Sequence, residues 1–346
     1  MTPRDRLESG PWGSLEKSDS SFDESTFSAR PYSIRFKGLI MNEFDSQAGS
    51  YNIYPRTMVR LCVISYESVD DIPGAVQPLG WDVVWGPAER RSIIDISYTL
   101  MFVCRNRQTG EYAVVIRGTN FDSLRSWIFQ DFDIGSTQPF SKLAPHAPSN
   151  ALIAQGTYNG MSDLLNLTDP NNGKTLVQFL QQSHPKRLYV TGHSLGGTLT
   201  PTMFAYLNDV IYGGGPATSM ALWSFAGLTP GDSNFNSYFN GLFRGSYQWR
   251  IFNTLDVAPF CWWSAQDLET IYQSHGLKLL SAEKDLIDDL FDMGAGVGYA
   301  QPTVGQPLNG TFDPSIIDRY LWVAQADHQH SSLTYQKLVD ATFSAF

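Results

Sequence analysis

One stretch restricts this chain more than any other. Arg187 to Leu207 reads RLYVTGHSLGGTLTPTMFAYL. An apolar run at Leu188-Tyr189-Val190 breaks at Gly192-His193-Ser194-Leu195-Gly196-Gly197, and a helical pattern then resumes. The spacing predicts a strand over Arg187–Thr191 and a helix over Thr198–Ile211, with G-x-S-x-G between them. So sharp a bend strains the serine backbone. Side chains two residues before and after it would collide with neighbouring elements, and glycine at 192 and 196 removes them. Ser194 Oγ then stands at the carboxyl end of a sheet, where the first amides of a helix, Leu195 foremost, face any anion that forms. A phosphate-holding turn would show the lysine of G-x-x-x-x-G-K-[ST], and this one does not.

Around that bend the chain alternates strands and helices. Helical spacing occurs at Arg56–Tyr66, Gly173–Gln182, Glu283–Phe291 and Thr334–Phe343. Strand patterns occur at Thr99–Cys104, Tyr112–Ile116, Leu222–Ala226, Trp249–Asn253 and Leu321–Ala324. The polar turn RNRQTGE joins the first two as a hairpin. Continuous apolar strands are buried on both faces, which predicts an α/β fold: a mostly parallel central sheet flanked by helices, with the hairpin as an antiparallel edge. Residues 1–30 are polar and read as an N-terminal arm, and 31–346 as a single catalytic domain carrying an insertion at 264–312.

Composition excludes several classes. The net charge of −10 argues against a nucleic-acid partner and against electrostatic docking on anionic membranes. No apolar run reaches 18 residues, so no transmembrane segment is expected. The opening residues lack the apolar core of a secretory signal, which favours a cytoplasmic location over secretion with the signal absent. Cys62, Cys104 and Cys261 fit no metal spacing; they read as small buried residues, with one pairing left open. No metal and no organic cofactor is implied.

A serine hydroxyl needs a base within hydrogen-bond reach, and the base needs an orienting acid. On a bend of this kind the chain order is serine, acid, histidine. His275, His328 and His330 follow Ser194. His275 lies within the insertion. His328 and His330 lie in AQADHQHSSLTY; read as extended chain, DHQH points both imidazoles the same way, and residue types alone leave both open. For the acid, Asp256 follows the strand WRIFN, and Asp232, in a Pro-Gly-Asp turn, is the alternative.

With these residues in view, the chain resembles the class 3, fungal-type lipases of the α/β-hydrolase superfamily, over roughly Met58–Tyr335. VTGHSLGGTL resembles the family's nucleophile block, and VVIRGTNFDSLRSWIFQDFD its [FI]-R-G-[TS] strand end. WRIFNTLDVAP resembles its N-x-x-D-x-V-P block, with Ala258 in place of the usual valine. QHSSLTY resembles its H-S-x-x-x-Y ending. The resemblance implies Ser194 as nucleophile, Asp256 as acid and His330 as base, the match at Tyr335 favouring His330 over His328. It places Thr119 and Leu195 at the oxyanion hole. It also implies a lid-like helical segment near 120–148, in which Leu124, Trp127, Ile128 and Phe132 are the candidate apolar residues. Two departures are Gln155-Gly156-Thr157 in place of the family's H-x-G-F-like block, and Pro201 within the helix after the nucleophile, where a kink or break is expected.

The implied function is hydrolysis of carboxylic esters of lipids, as by a triacylglycerol lipase or esterase, through an acyl-enzyme and at a lipid–water interface. Alternatives are a phospholipase or a short-chain or feruloyl-type esterase on the same fold. A non-catalytic binding protein is a different class; the complete serine, acid and histidine set argues against it.

Overall fold

A computed structural model describes residues 53–91, 98–118, 132–217, 219–243, 248–302, 305–316 and 321–343. The chain opens with helix α1 (Ile53–Ile64), a short helix α2 (Ile72–Val76) and strands β1 (Trp81–Arg91), β2 (Tyr98–Asn106) and β3 (Tyr112–Ile116). A small ribbon of β4 (Thr137–Pro139) and β5 (Leu152–Ala154) follows, then helices α3 (Gln155–Leu165) and α4 (Leu176–Ser183). Next come β6 (Leu188–His193), α5 (Leu195–Tyr212), β7 (Met220–Phe225), α6 (Ser233–Gly241) and β8 (Gln248–Asn253). The last third holds α7 (Ala265–Thr270), α8 (Ser281–Gly294), β9 (Gln306–Leu308), α9 (Leu321–His330) and α10 (Ser332–Thr342).

The strands form a seven-stranded sheet in the order β1-β2-β3-β6-β7-β8-β9. β1, β2 and β3 pair antiparallel, and from β3 onward every pair is parallel. The hairpin expected at 99–116 is thus present, and β1 extends it by one strand. The sequence reading assigns nothing to β1. Its run WDVVWGPAERR carries Gly86-Pro87 and charged residues, and the pairing register shifts there, a pattern tolerated at an edge.

Side-chain alternation sorts the sheet into two buried faces. Met101, Val103, Val114, Ile116, Leu188, Val190 and Leu222 join the core under α3, α4, α5 and α6. Their neighbours Leu100, Phe102, Cys104, Ala113, Val115, Tyr189 and Trp223 join the core with α1 and α10. Burial on both faces is why these strands read as continuous apolar runs. Each full burial of such a side chain contributes roughly 1.5–3 kcal/mol. Helix ends follow local chemistry. α4 starts at Leu176 rather than Gly173 because Thr175 accepts from Gln178 N–H while the Gln178 side chain accepts from Thr175 N–H.

Two expectations are corrected. Leu321–Ala324 is not a strand; it is the first turn of helix α9, and residues 321–330 are helical throughout. Pro201 does not end its helix, since α5 continues to Tyr212. Proline removes the amide that would meet the carbonyl four residues earlier, and Ser224 Oγ donates to that Gly197 oxygen instead, at 2.8 Å. The three cysteines are free and buried, so no pair forms. All described residues fall within one unit spanning 41–346. The arm at 1–30 lies outside the described residues. The expected insertion at 264–312 holds α7, α8 and β9.

Candidate active site

β6 ends at His193 and α5 begins at Leu195, so Ser194 alone makes the bend. Its φ of 61° and ψ of −126° lie where side chains are rarely found. The flanking glycines are required by space. A Cβ at Gly192 would lie 2.3 Å from Gly196 O, and one at Gly196 would lie 2.2 Å from Ile116 O. The bend therefore packs directly on the end of β3.

Three side chains from distant parts of the chain meet there. His330 Nε2 is 2.8 Å from Ser194 Oγ, and His330 Nδ1 is 2.9 Å from Asp256 Oδ2. A carboxylate accepts, so Nδ1 carries the proton and the lone pair of Nε2 faces the serine hydroxyl. Asp256 is fully buried and well satisfied: besides His330 it accepts from Tyr335 Oη–H at 2.7 Å and from Ala258 N–H at 3.0 Å. Burial and the neighbouring Asp256 charge push the Tyr335 hydroxyl well above its ordinary range, so it remains a donor. Tyr335 Oη accepts in turn from Asn253 N–H at 3.0 Å. The arrangement can remove a proton from Ser194 and hold the resulting imidazolium against a buried carboxylate.

Residues 113–263 match the family Lipase (class 3). M37 lipase, a solved structure, is similar at 27% identity and a TM-score of 0.72, over 82% of this chain and 91% of that one. The nonglycosylated LIP2 lipase of Yarrowia lipolytica is similar at 20% identity and a TM-score of 0.48, over 62% of this chain and 75% of that one. A search of curated proteins finds no match. Over residues 113–263 the chain is similar to the class 3 lipase family. The chain has the α/β-hydrolase fold and is a carboxylic ester hydrolase.

The helical form of 321–330 separates the two candidate histidines. Two positions along a helix differ by about 200° in direction. His330 is buried against Ser194, whereas the half-exposed His328 lies 4.0 Å from Asp313. The expectation that both imidazoles point the same way is therefore wrong. His275 is exposed in a turn and stacks on Phe312. Asp232, the alternative acid, caps α6 by accepting from Phe235 N–H at 2.7 Å and also accepts from Leu152 N–H. It serves a helix start and a strand end.

Leu195 opens α5, so its amide is among those a helix start leaves without an internal acceptor. Thr119 lies outside the described residues. Its predecessor Gly118 is so close to the bend that a Cβ there would lie 2.8 Å from Ser194 Cβ. Of the lid candidates, Leu124, Trp127 and Ile128 lie outside the described residues. Phe132 is described: it lies outside any helix, buried, with its ring stacked on Trp262 at 5.2 Å. The rest of the 120–148 segment, from 132 on, holds β4 and tight turns at Phe140–Lys142 and Ala144–Ala147. Among the described residues, no helix is long and apolar enough to cross a membrane, and no cluster of His, Cys, Asp or Glu is placed to hold a metal ion.

The sequence reading missed the residues behind the meeting point. His193, Tyr66, Asn253 and Gln329 all bond within one shell of it. The available signal was the histidine inside G-x-S-x-G, which sterics alone do not require.

Proposed function

We propose that this protein hydrolyses the ester bonds of acylglycerols through a covalent acyl-enzyme on Ser194. The reading is supported by the hydrogen-bonded line Asp256–His330–Ser194 on a strained bend. In the first step His330 Nε2 takes the Ser194 proton as Oγ attacks the ester carbonyl carbon. Asp256 keeps the imidazole in the tautomer this requires and balances the imidazolium. The amides of Leu195 and Thr119 hold the tetrahedral oxyanion, where losing one such donor typically costs about 10²–10³ in kcat. His330 then gives its proton to the departing alcohol, and water repeats the sequence to release the fatty acid. No metal or organic cofactor takes part in these steps.

The test pairs labelling with turnover. A fluorophosphonate probe is expected to modify Ser194 in the native protein and to leave Ser194→Ala unlabelled. A p-nitrophenyl ester series from C2 to C16, run with and without emulsified triglyceride, reads chain-length preference and interfacial behaviour together. Absence of labelling at Ser194, or near-full turnover by folded Ser194→Ala, would sink the assignment.

A further inference from the structure

A helix leaves its last carbonyls without internal partners. α9 ends at His330, and side chains from three elements take those carbonyls. Thr334 Oγ1 donates to His328 O at 2.7 Å, Asn253 Nδ2 donates to Gln329 O at 2.9 Å, and His193 Nε2 bonds His330 O at 2.8 Å. The last of these is the unusual one. His193 is the residue immediately before Ser194, and it reaches the main chain of the very residue whose ring faces Ser194 Oγ. The nucleophile's strand thus holds the histidine's backbone directly, across 137 positions of sequence.

The donor assignment follows from chemistry. A carbonyl only accepts, so His193 carries its proton on Nε2. Nδ1 is then an acceptor, and Tyr66 Oη lies 2.9 Å from it as the donor. Burial, and then the nearby His330, hold the His193 imidazole well below its ordinary range, so it stays neutral. Burial likewise pushes the Tyr66 hydroxyl up, so it stays a donor. Tyr66 is in turn wedged against Gly118, where a Cβ would lie 2.5 Å from its hydroxyl. The line Tyr66–His193–His330 therefore runs from Gly118, just past the end of β3, to the main chain of the residue whose ring faces Ser194 Oγ.

We propose that His193 is a positioning residue, whose Nε2–H fixes the His330 main chain relative to Ser194 Oγ, and that Tyr66 keeps the proton of His193 on that nitrogen. The proposal rests on reading Ser194 and His330 as nucleophile and base. A misplacement of about 1 Å at a reacting group can cost about 10²-fold in rate. A bond from the bend to the base is a direct means of preventing it.

The test measures kcat and KM on dissolved p-nitrophenyl butyrate for the full chain, with kcat normalised to fluorophosphonate-labelled Ser194 and with Tm recorded for each variant. Active wild type with inactive Ser194→Ala supports the underlying reading by itself; an inactive wild type overturns it. Against that background, His193→Leu is expected to lose roughly 100-fold in kcat with KM within about twofold. His193→Gln, whose amide can donate to the same carbonyl, is expected to recover to within roughly tenfold of wild type. Tyr66→Phe, which deletes one hydroxyl, is expected to lose about five- to tenfold in kcat. The positioning role is overturned if folded His193→Leu keeps its kcat, or if His193→Gln is no better than His193→Leu at equal Tm. Should His193→Leu fail to fold, an unchanged kcat in Tyr66→Phe overturns it.

Discussion

At the scale of single residues, Ser194 stores strain at the bend where the proposed chemistry takes place. A non-glycine residue held at φ 61° in so sparse a region costs on the order of 1–3 kcal/mol. The usual preference for alanine over glycine should therefore invert at this position. Ser194→Gly is expected to be more stable than Ser194→Ala by about 1 kcal/mol, while both lack hydrolytic activity. Denaturant titration of the two variants reads the difference, and a more stable alanine variant would mean that the bend is not strained. The neighbouring positions show the opposite constraint. Gly196→Ala would force a Cβ to 2.2 Å from the Ile116 carbonyl, so it is expected to abolish turnover and to lower Tm; wild-type behaviour would contradict the packing of bend on strand. This part of the site was legible in the sequence, because glycines at fixed offsets around a serine record a steric demand that acts within a few residues.

At the scale of elements, legibility falls where partners lie far apart in sequence. The proline in α5 is visible in the chain; the hydroxyl of Ser224 that serves the carbonyl it leaves free is not, since β7 meets α5 only through the tertiary fold. Ser224→Ala is expected to cost about 1–3 kcal/mol by leaving a buried carbonyl unpaired. Adding Pro201→Ala returns an amide donor to that carbonyl, so the double variant should recover part of the loss. Additive losses in a double-mutant cycle would show that the two positions are uncoupled. Helix α9 gives the second lesson. The run LWVA is short, apolar and aromatic, and such runs do not separate a strand from a buried helical turn by pattern alone. Tertiary burial of Trp322, Ala326 and His330 decided for the helix. That outcome, rather than residue type, puts His328 and His330 on different sides. β1 stayed hidden for a related reason, since its proline and charges suit only an edge that the sequence does not announce.

At the scale of the whole molecule, burial sets the response to acid and to thiol reagents. The His193 imidazole is held below its ordinary value of 6.5 by burial and by His330. Between that depressed value and 6.5 the unfolded chain binds more protons than the folded one. Stability tied to His193 is therefore complete above this window and is lost as pH falls through it. Tm is expected to drop on acidification below 6.5, with a shallower slope in His193→Gln; identical slopes would argue against a buried neutral imidazole. Burial pushes the Cys62 thiol up to about 12, and it raises Cys104 and Cys261 as well. A chromogenic disulfide reagent is expected to find no thiol in the native protein and all 3 after denaturation. Rapid native labelling would show that the core around the labelled thiol opens.

The distance along the chain between Ser194 and His330, 136 positions, also has a meaning in time. Translation at about 5–20 residues per second leaves an interval of roughly 7–27 s in which the bend has been synthesised and His330 has not. During that interval a growing polypeptide carries an unarmed hydroxyl. If Ser194 and His330 act together as proposed, ester cleavage starts only once residue 330 has been made and has folded onto the bend.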